Sequence, residues 1–212
     1  MFRRACIVVC IVAAAAALLS AQTAKLTTSW AAPGIGPMSF ASKKVVALAM
    51  STDMDLRMSA EEAMAREITS RGPQGIAAYR TIPKEELASK ERAQQWFAQT
   101  GVAGVLTMRV VNVDKTMEYS SVMFGASYYQ SFGAYYDYGY GYGSTTVIPL
   151  GDPREIRTVA VETLLYDIAG GGRLLWAGMS ETTDPKNTGT FVKGLAVTIA
   201  KDLEKRGMVS KK

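Results

Sequence analysis

The sequence predicts a single α/β (α+β) domain in which a mixed five-stranded sheet is packed with about three helices. Two observations carry this prediction: short apolar runs alternate with amphipathic stretches in the first half of the chain, and alternating strands joined by a glycine-rich turn precede a helical pattern in the second half. The predicted order is βαβα-β, then a loop rich in tyrosine and glycine, then ββα. At 212 residues the chain is long enough to bury a substantial core.

The first half of the chain carries the βαβα part of this order. Lys44 to Met50 is a short apolar run, which predicts a strand buried on both faces. Ser59 and Glu62 have the spacing of a capping box, so we expect the first helix to begin there and to end before Gly72. The later elements of this half are, in order, a strand over 75–82, a helix over 84–100 that ends at Gly101, and a strand over 102–113.

The second half is predicted to contain an antiparallel hairpin and a closing helix. Residues 155–166 and 173–182 are alternating stretches joined by the turn DIAGGG, which favours a β-hairpin. Apolar residues recur at helical spacing over 190–206, which predicts the last helix. Glu162 lies on the first hairpin strand. We interpret it as an outward-facing residue because no partner for a buried carboxylate can be located, with a buried acid of perturbed pKa as the alternative.

The N-terminus predicts export from the cytoplasm. Two arginines, Arg3 and Arg4, precede fifteen apolar residues over 5–19 and then several small residues, which is typical of a secretory signal peptide. We place this signal at 1–22 and the protein in the periplasm of a Gram-negative bacterium, with no stable membrane span after cleavage. An uncleaved N-terminal anchor is the alternative, because the small-residue cleavage signal is imperfect. Cys10 follows two valines and does not fit a lipid-attachment site.

The remaining boundaries follow from composition. Residues 23–43 are predicted as an extended lead-in punctuated by proline and glycine, 44–209 as the α/β domain with an insert over 119–150, and 210–212 as a basic tail. The formal net charge of +5 comes without a dense run of lysine or arginine, so no nucleic-acid partner is predicted.

Two residue types that carry much of enzyme chemistry are scarce. The chain has no histidine, and its two cysteines fall inside the predicted signal peptide. These facts exclude His-dependent nucleophilic catalysis, His-ligated metals and cysteine-cluster metal sites from the mature chain. We therefore predict that the protein is not an enzyme and holds no cofactor.

One pair of carboxylates leaves an alternative open. Asp53 and Asp55 follow the first predicted strand, where open α/β sheets place their sites, and two such carboxylates could hold Mg²⁺ in a hydrolase or transferase. Arg57 departs from the phosphohydrolase pattern, which has a threonine or valine there. We interpret the two aspartates as solvated acids at a helix N-terminus, and a metal-dependent hydrolase or transferase remains the alternative.

The most unusual segment lies between the third and fourth predicted strands. From Tyr119 to Gly143 there are eight tyrosines and five glycines. Asp137 is the only charged residue of this stretch. One interpretation is a flexible low-complexity insert. The other is an aromatic contact surface that projects from the domain, because tyrosine offers a large apolar face and a hydroxyl at low entropic cost. The candidate partner-binding residues are Tyr128, Tyr129, Tyr135, Tyr136, Tyr138, Tyr140 and Tyr142.

Three stretches of the chain resemble a family of secreted or lipid-anchored bacterial cell-envelope proteins. They are VETLLYDIAGGGRLLWAGMSETTDP (Val161 to Pro185), KKVVALAM, and GVAGVLTMRVVNV ahead of the tyrosine-rich insert. The resemblance covers Trp30 to Gly207. In fold, such proteins are similar to the N-terminal domain of TolB and to lipoprotein activators of peptidoglycan synthases. The resemblance implies a small α/β domain of the cell envelope and supplies no catalytic residue.

The sequence thus favours a non-catalytic exported binding or assembly module that presents the tyrosine-rich loop to a partner in the envelope. That partner is expected to be an envelope protein or peptidoglycan, and the oligomeric state is left open. A glycan-binding protein that uses the same tyrosines, and the metal-dependent enzyme using Asp53 and Asp55, are the alternatives.

Overall fold

A computed structural model of the chain describes residues 24–33, 40–111, 132–133, 136, 158–183 and 185–210. These residues form a mixed six-stranded sheet with helices on both faces, which confirms the predicted α/β domain and adds one strand. The strands are β1 (Lys25–Ala31), β2 (Lys44–Met50), β3 (Gln74–Ala77), β4 (Val102–Val111), β5 (Thr158–Asp167) and β6 (Arg173–Thr183). The helices are α1 (Met54–Thr69), α2 (Ala78–Thr81), α3 (Lys90–Thr100) and α4 (Thr188–Lys205), with a 3₁₀ turn at Lys84–Leu87.

The order of the strands across the sheet is β1-β6-β5-β4-β2-β3. β2 runs parallel to β3 and β4, and all other neighbouring strands are antiparallel. The carboxyl ends of β2, β3 and β4 and the start of β5 therefore lie at one end of the sheet. We call this the insert end, because residues 112–157 connect β4 to β5 there. This connection contains the predicted insert 119–150, and the whole connection is called the insert below. The turn between β5 and β6 lies at the opposite end, which we call the turn end.

The core has two layers because helices cover both faces of the sheet. α1 and α4 pack on one face and α3 packs on the other. Alternate residues of β2 serve the two layers: Val45 and Ala47 face α1, whereas Val46 and Leu48 contribute to the layer beneath α3. This confirms that β2 is buried on both faces. Trp176 is fully buried, and its indole N–H donates to Asp202 Oδ2 at 2.8 Å, which ties β6 to α4.

β1 is the strand that the sequence did not predict. It lies within 23–43, which was expected to be an extended lead-in outside the domain, and it pairs antiparallel with β6 from Lys25↔Glu181 to Ala31↔Trp176. Its sequence, KLTTSWA, is too polar to stand out as an apolar strand because it lies at the sheet edge and is only half-buried. The domain includes Ala24, whose carbonyl accepts a hydrogen bond from Thr198 Oγ1 at 2.8 Å.

Three predicted boundaries in the first half were wrong. α1 begins at Met54 with Asp53 as its N-cap, not at Ser59. The strand expected over 75–82 ends at Ala77, where the chain turns into α2. The helix expected over 84–100 is a 3₁₀ turn followed by α3, because Ser89 starts a new helix by accepting a hydrogen bond from the Arg92 N–H at 3.3 Å.

The second half agrees more closely with prediction. β5 and β6 form the expected antiparallel hairpin, and its glycine-rich turn has positive φ angles at Gly171 and Gly172. α4 is the expected closing helix, and its N-cap is Asn187, whose side chain accepts a hydrogen bond from the Thr190 N–H at 2.9 Å. Of the helices described, none combines the length and apolar character needed to cross a membrane.

Candidate functional site

The insert end contains the two aspartates that the sequence singled out. Asp53 Oδ1 accepts a hydrogen bond from the Leu56 N–H at 3.0 Å and thereby caps α1, while Asp55 lies in the first turn of the same helix. Both positions favour acids because they interact with the positive end of the helix dipole. Within the described parts of the chain, no three histidine, cysteine, aspartate or glutamate side chains are grouped so that they could hold a metal ion.

A third carboxylate at this end, that of Glu61, was not predicted as a site residue. It is fully buried on α1, and Oε1 accepts hydrogen bonds from the Ala49 N–H at 3.1 Å and from Arg57 Nε at 3.0 Å. Oε2 accepts from the Tyr79 N–H at 2.5 Å. Burial raises the pKa of Glu61, and the hydrogen bonds with Tyr79 and Arg57 partly oppose that rise.

The contacts of Glu61 define its role. The Ala49 N–H lies near the end of β2 and the Tyr79 N–H lies just after β3, so one carboxylate joins α1 to the carboxyl ends of two parallel strands. It also explains why β3 is short, since the chain turns where Tyr79 donates to Glu61. The sequence pattern could have predicted this burial, because Glu61 stands beside Ala60 and one turn before Met64 and Ala65, all of which are buried. A lone acid on a buried helix face indicates a buried carboxylate.

The base of the insert contains a buried ion pair between neighbouring strands. Arg109 of β4 and Glu162 of β5 lie opposite each other in the ladder, and Arg109 Nη2 donates to Glu162 Oε2 at 2.8 Å. Glu162 is only 5% exposed. Its predicted outward orientation was therefore wrong, because the carboxylate has a cationic partner across the sheet that the linear sequence did not reveal. Burial raises the pKa of Glu162, and the positive charge of Arg109 opposes that rise.

The two ends of the insert are held together by the β4–β5 ladder. The register runs from Gly104↔Asp167 to Val111↔Ala160, so residues 112–157 leave and re-enter the sheet at adjacent positions. Among the candidate tyrosines, only Tyr136 lies within the described residues. Tyr128, Tyr129, Tyr135, Tyr138, Tyr140 and Tyr142 lie outside them.

The described part of the insert packs into the core at the turn end. Phe132 is fully buried, its N–H donates to the Gly172 carbonyl at 2.9 Å, and its ring contacts Phe97 and Tyr166 edge-on with centroids 5.4 and 5.8 Å apart. Tyr136 is 2% exposed and its hydroxyl donates to the Leu87 carbonyl. Tyr136 is thus a packing residue.

The location of Phe132 changes the expected course of the insert. β5 has ten residues, so its two ends are about 30 Å apart. The insert starts at one of these ends, and Phe132 lies beside Gly172 at the other. Phe132 of the insert therefore lies at the turn end, whereas the aromatic contact surface considered from the sequence was expected to project from the domain.

No protein-family model and no curated protein matches the sequence. Among solved structures, the chain is similar to the PelC dodecamer from Paraburkholderia phytofirmans, with 15% sequence identity and a TM-score of 0.45 over 85% of this chain and 96% of that one. A variant of the same PelC dodecamer gives 16% identity and a TM-score of 0.44 over 86% of this chain and 98% of that one. Similarity at this level does not assign a function.

Proposed function

We propose that the protein is an exported, non-catalytic module of the cell envelope that binds a partner through the tyrosine-rich insert. The observation that carries the proposal is the anchoring of the insert at three points: both ends by the β4–β5 ladder and its middle by Phe132. A loop fixed on a rigid scaffold can present side chains in a reproducible arrangement, which is how binding loops commonly work.

The roles of the carboxylates support a module without catalysis. Asp53 caps α1, Glu61 joins α1 to two strands, and Glu162 is paired with Arg109. Each of these groups therefore has a structural function in the described part of the chain. The sequence beyond the predicted signal peptide offers neither imidazole nor thiol that could take over a catalytic role.

A small apolar surface at the insert end also supports partner binding there. Met54 and Met58 are the exposed large apolar residues of the described chain, at 43% and 36% exposure, and they lie one helical turn apart at the start of α1. Methionine adapts to irregular surfaces and is common in binding interfaces.

The predicted export signal indicates the compartment in which the partner is bound. The arginines and apolar run over 1–19 direct the chain out of the cytoplasm, so the partner is an envelope protein or peptidoglycan. Tyrosine suits either, since its ring packs against apolar side chains or stacks on sugars while its hydroxyl forms hydrogen bonds.

The proposal is tested by replacing tyrosines without removing the core residues of the insert. Tyr128, Tyr129, Tyr138, Tyr140 and Tyr142 are changed to serine together, while Phe132 and Tyr136 are kept. We expect an unchanged thermal midpoint and a loss of at least tenfold in the recovery of cross-linked envelope proteins or in co-sedimentation with purified peptidoglycan. Arg92→Ser, which changes an exposed side chain of α3 outside the insert, is the control. Equal recovery by the serine variant and the native chain would contradict the proposal.

A further inference from the structure

The outer edge of β3 forms one wall of an open groove. β3 is the last strand of the sheet, so one side of its backbone is directed away from β2. The groove beside it has a volume of about 540 Å³ and is bordered by α1 and α2. Its walls include Glu62, Arg66 and Thr69 of α1, Gly75 and Ala77 of β3, and Arg80 of α2.

The register of β3 determines which backbone groups face the groove. The Gln74 N–H donates to the Lys43 carbonyl at 2.8 Å, so Gln74 is turned toward β2. Successive residues of a strand direct their backbone groups to opposite sides, and Gly75 and Ala77 are therefore turned toward the groove. The Gly75 N–H donates to Thr69 Oγ1 at 3.0 Å. The Gly75 carbonyl and the Ala77 N–H are the backbone groups of β3 that remain for the groove, because the Ala77 carbonyl, at the N-cap of α2, accepts the first hydrogen bond of that helix.

Two arginines give the groove a positive charge. Arg80 Nε lies 2.6 Å from Glu62 Oε1, and Arg66 Nη1 lies 3.4 Å from Glu62 Oε2. The two arginine side chains are 64% and 69% exposed, so most of their N–H donors are accessible. One carboxylate between two guanidinium groups leaves an excess positive charge beside the backbone groups of β3.

We propose that this groove binds an extended, acidic peptide segment of a partner protein, which adds to the sheet as a strand beside β3. The Gly75 carbonyl and the Ala77 N–H would pair with the main chain of the peptide, as in other proteins that add an extended peptide to an open sheet edge. Arg66 and Arg80 select for an acidic side chain because they can form charge-assisted hydrogen bonds with its carboxylate. This surface is separate from the insert, which joins the sheet at β4 and β5.

The decisive variant is Ala77→Pro. The φ angle of Ala77 is −76°, which proline adopts without strain, and the N–H that proline lacks is the one turned away from β2. The substitution thus removes a donor from the groove and fills part of it with the proline ring, while the β2–β3 ladder keeps its hydrogen bonds. We expect the thermal midpoint to change by no more than a few degrees.

The probe is a random twelve-residue peptide library selected on the purified full chain. We expect enriched peptides to combine β-branched residues with aspartate or glutamate, and we expect Ala77→Pro to weaken the Kd of a synthesised peptide at least tenfold. The double variant Arg66→Glu/Arg80→Glu changes only exposed side chains, and it should abolish binding of acidic peptides even if the proline variant were unstable. Arg92→Ala, which removes an exposed arginine paired with Glu86 on the other face, is the control and should alter the Kd less than twofold.

Three results would overturn the proposal. The first is the absence of any enriched peptide, and the second is equal peptide binding by the native chain and both groove variants. The third is a concentration-dependent dimer of the native chain that Ala77→Pro dissociates, because it would identify a second copy as the occupant of the groove. All variants retain the tyrosine-rich insert, so these results are independent of the test of the proposed function.

Discussion

Replacing Arg109 by methionine removes one partner of the buried ion pair at the base of the insert. At 2.8 Å and an effective dielectric constant of about 20, the attraction between the two charges is about 6 kcal/mol. Burial nevertheless raises the pKa of Glu162, which means that the loss of hydration outweighs this attraction. An Arg109→Met variant leaves the carboxylate buried without the cation it faces, and we expect it to lower the free energy of unfolding by about 3 kcal/mol at pH 7.5.

The dependence of this loss on pH follows from the sign of the pKa shift. An acid whose pKa is higher in the folded state stabilises the fold below its unfolded-state pKa, and that contribution is lost as the pH rises through the folded-state pKa. Without Arg109 the pKa of Glu162 rises further, so protonation relieves the defect already at mildly acidic pH. The Arg109→Met variant should therefore be closer in stability to the native protein at pH 5 than at pH 7.5.

Urea unfolding at these two pH values measures the effect, and two more variants make it specific. Glu162→Leu leaves a guanidinium that stays charged at both values, so its loss of stability should depend much less on pH. The double variant Arg109→Met/Glu162→Leu removes both charges and should lie within about 1 kcal/mol of the native protein. A loss of less than about 1 kcal/mol in the free energy of unfolding of Arg109→Met, or an equal loss at both pH values, would contradict this prediction. Glu61, whose pKa is also raised, is present in every variant and cancels in the comparison.

Three further substitutions test packing. Phe132→Ala should lower the free energy of unfolding by about 3–5 kcal/mol in chemical denaturation, since a fully buried ring that contacts Phe97 is lost. A loss below about 1 kcal/mol would show that Phe132 does not pack into the core. Thr163→Val should raise the thermal midpoint by about 2–4 °C, because the buried Thr163 hydroxyl has no hydrogen-bond partner among the described residues; a lower midpoint in calorimetry would contradict this. Gly75→Ala should destabilise by more than about 3 kcal/mol, because its Cβ would lie 2.1 Å from the Ala65 carbonyl oxygen, and near-native stability in urea would show that α1 is not held against β3.

The elements that the sequence located well are those whose local pattern and burial agree. β2 is apolar on both faces because it is covered on both faces, and the β5–β6 hairpin has alternating strands and glycines at positive φ in its turn. The closing helix combines apolar residues at helical spacing with an asparagine cap. In each case a few residues that are close together in the sequence are enough to predict the element.

The errors arose where distant residues determine local structure. β1 becomes a strand because β6, about 150 positions later in the chain, provides its ladder. β3 ends at Ala77 because Glu61 accepts the Tyr79 N–H from another element. Glu162 is buried because Arg109 lies opposite it in the β4–β5 ladder. The register of that ladder cannot be predicted from the sequence, since the long tyrosine-rich segment separates the two strands. None of these partners can be inferred from the spacing of residues along one segment.

The buried aromatic residues of the insert determine how its function has to be tested. Removing residues 124–142 as a block would delete Phe132 and Tyr136 together with the other candidate tyrosines. The loss of these two rings would expose Phe97 and Tyr166 and leave the Leu87 carbonyl without the Tyr136 hydroxyl. Failure of such a variant to recover a partner would then have two explanations, a damaged core or a missing contact surface. Serine substitutions at Tyr128, Tyr129, Tyr138, Tyr140 and Tyr142 separate these explanations, because a loss of binding at an unchanged thermal midpoint can be assigned only to the contact surface.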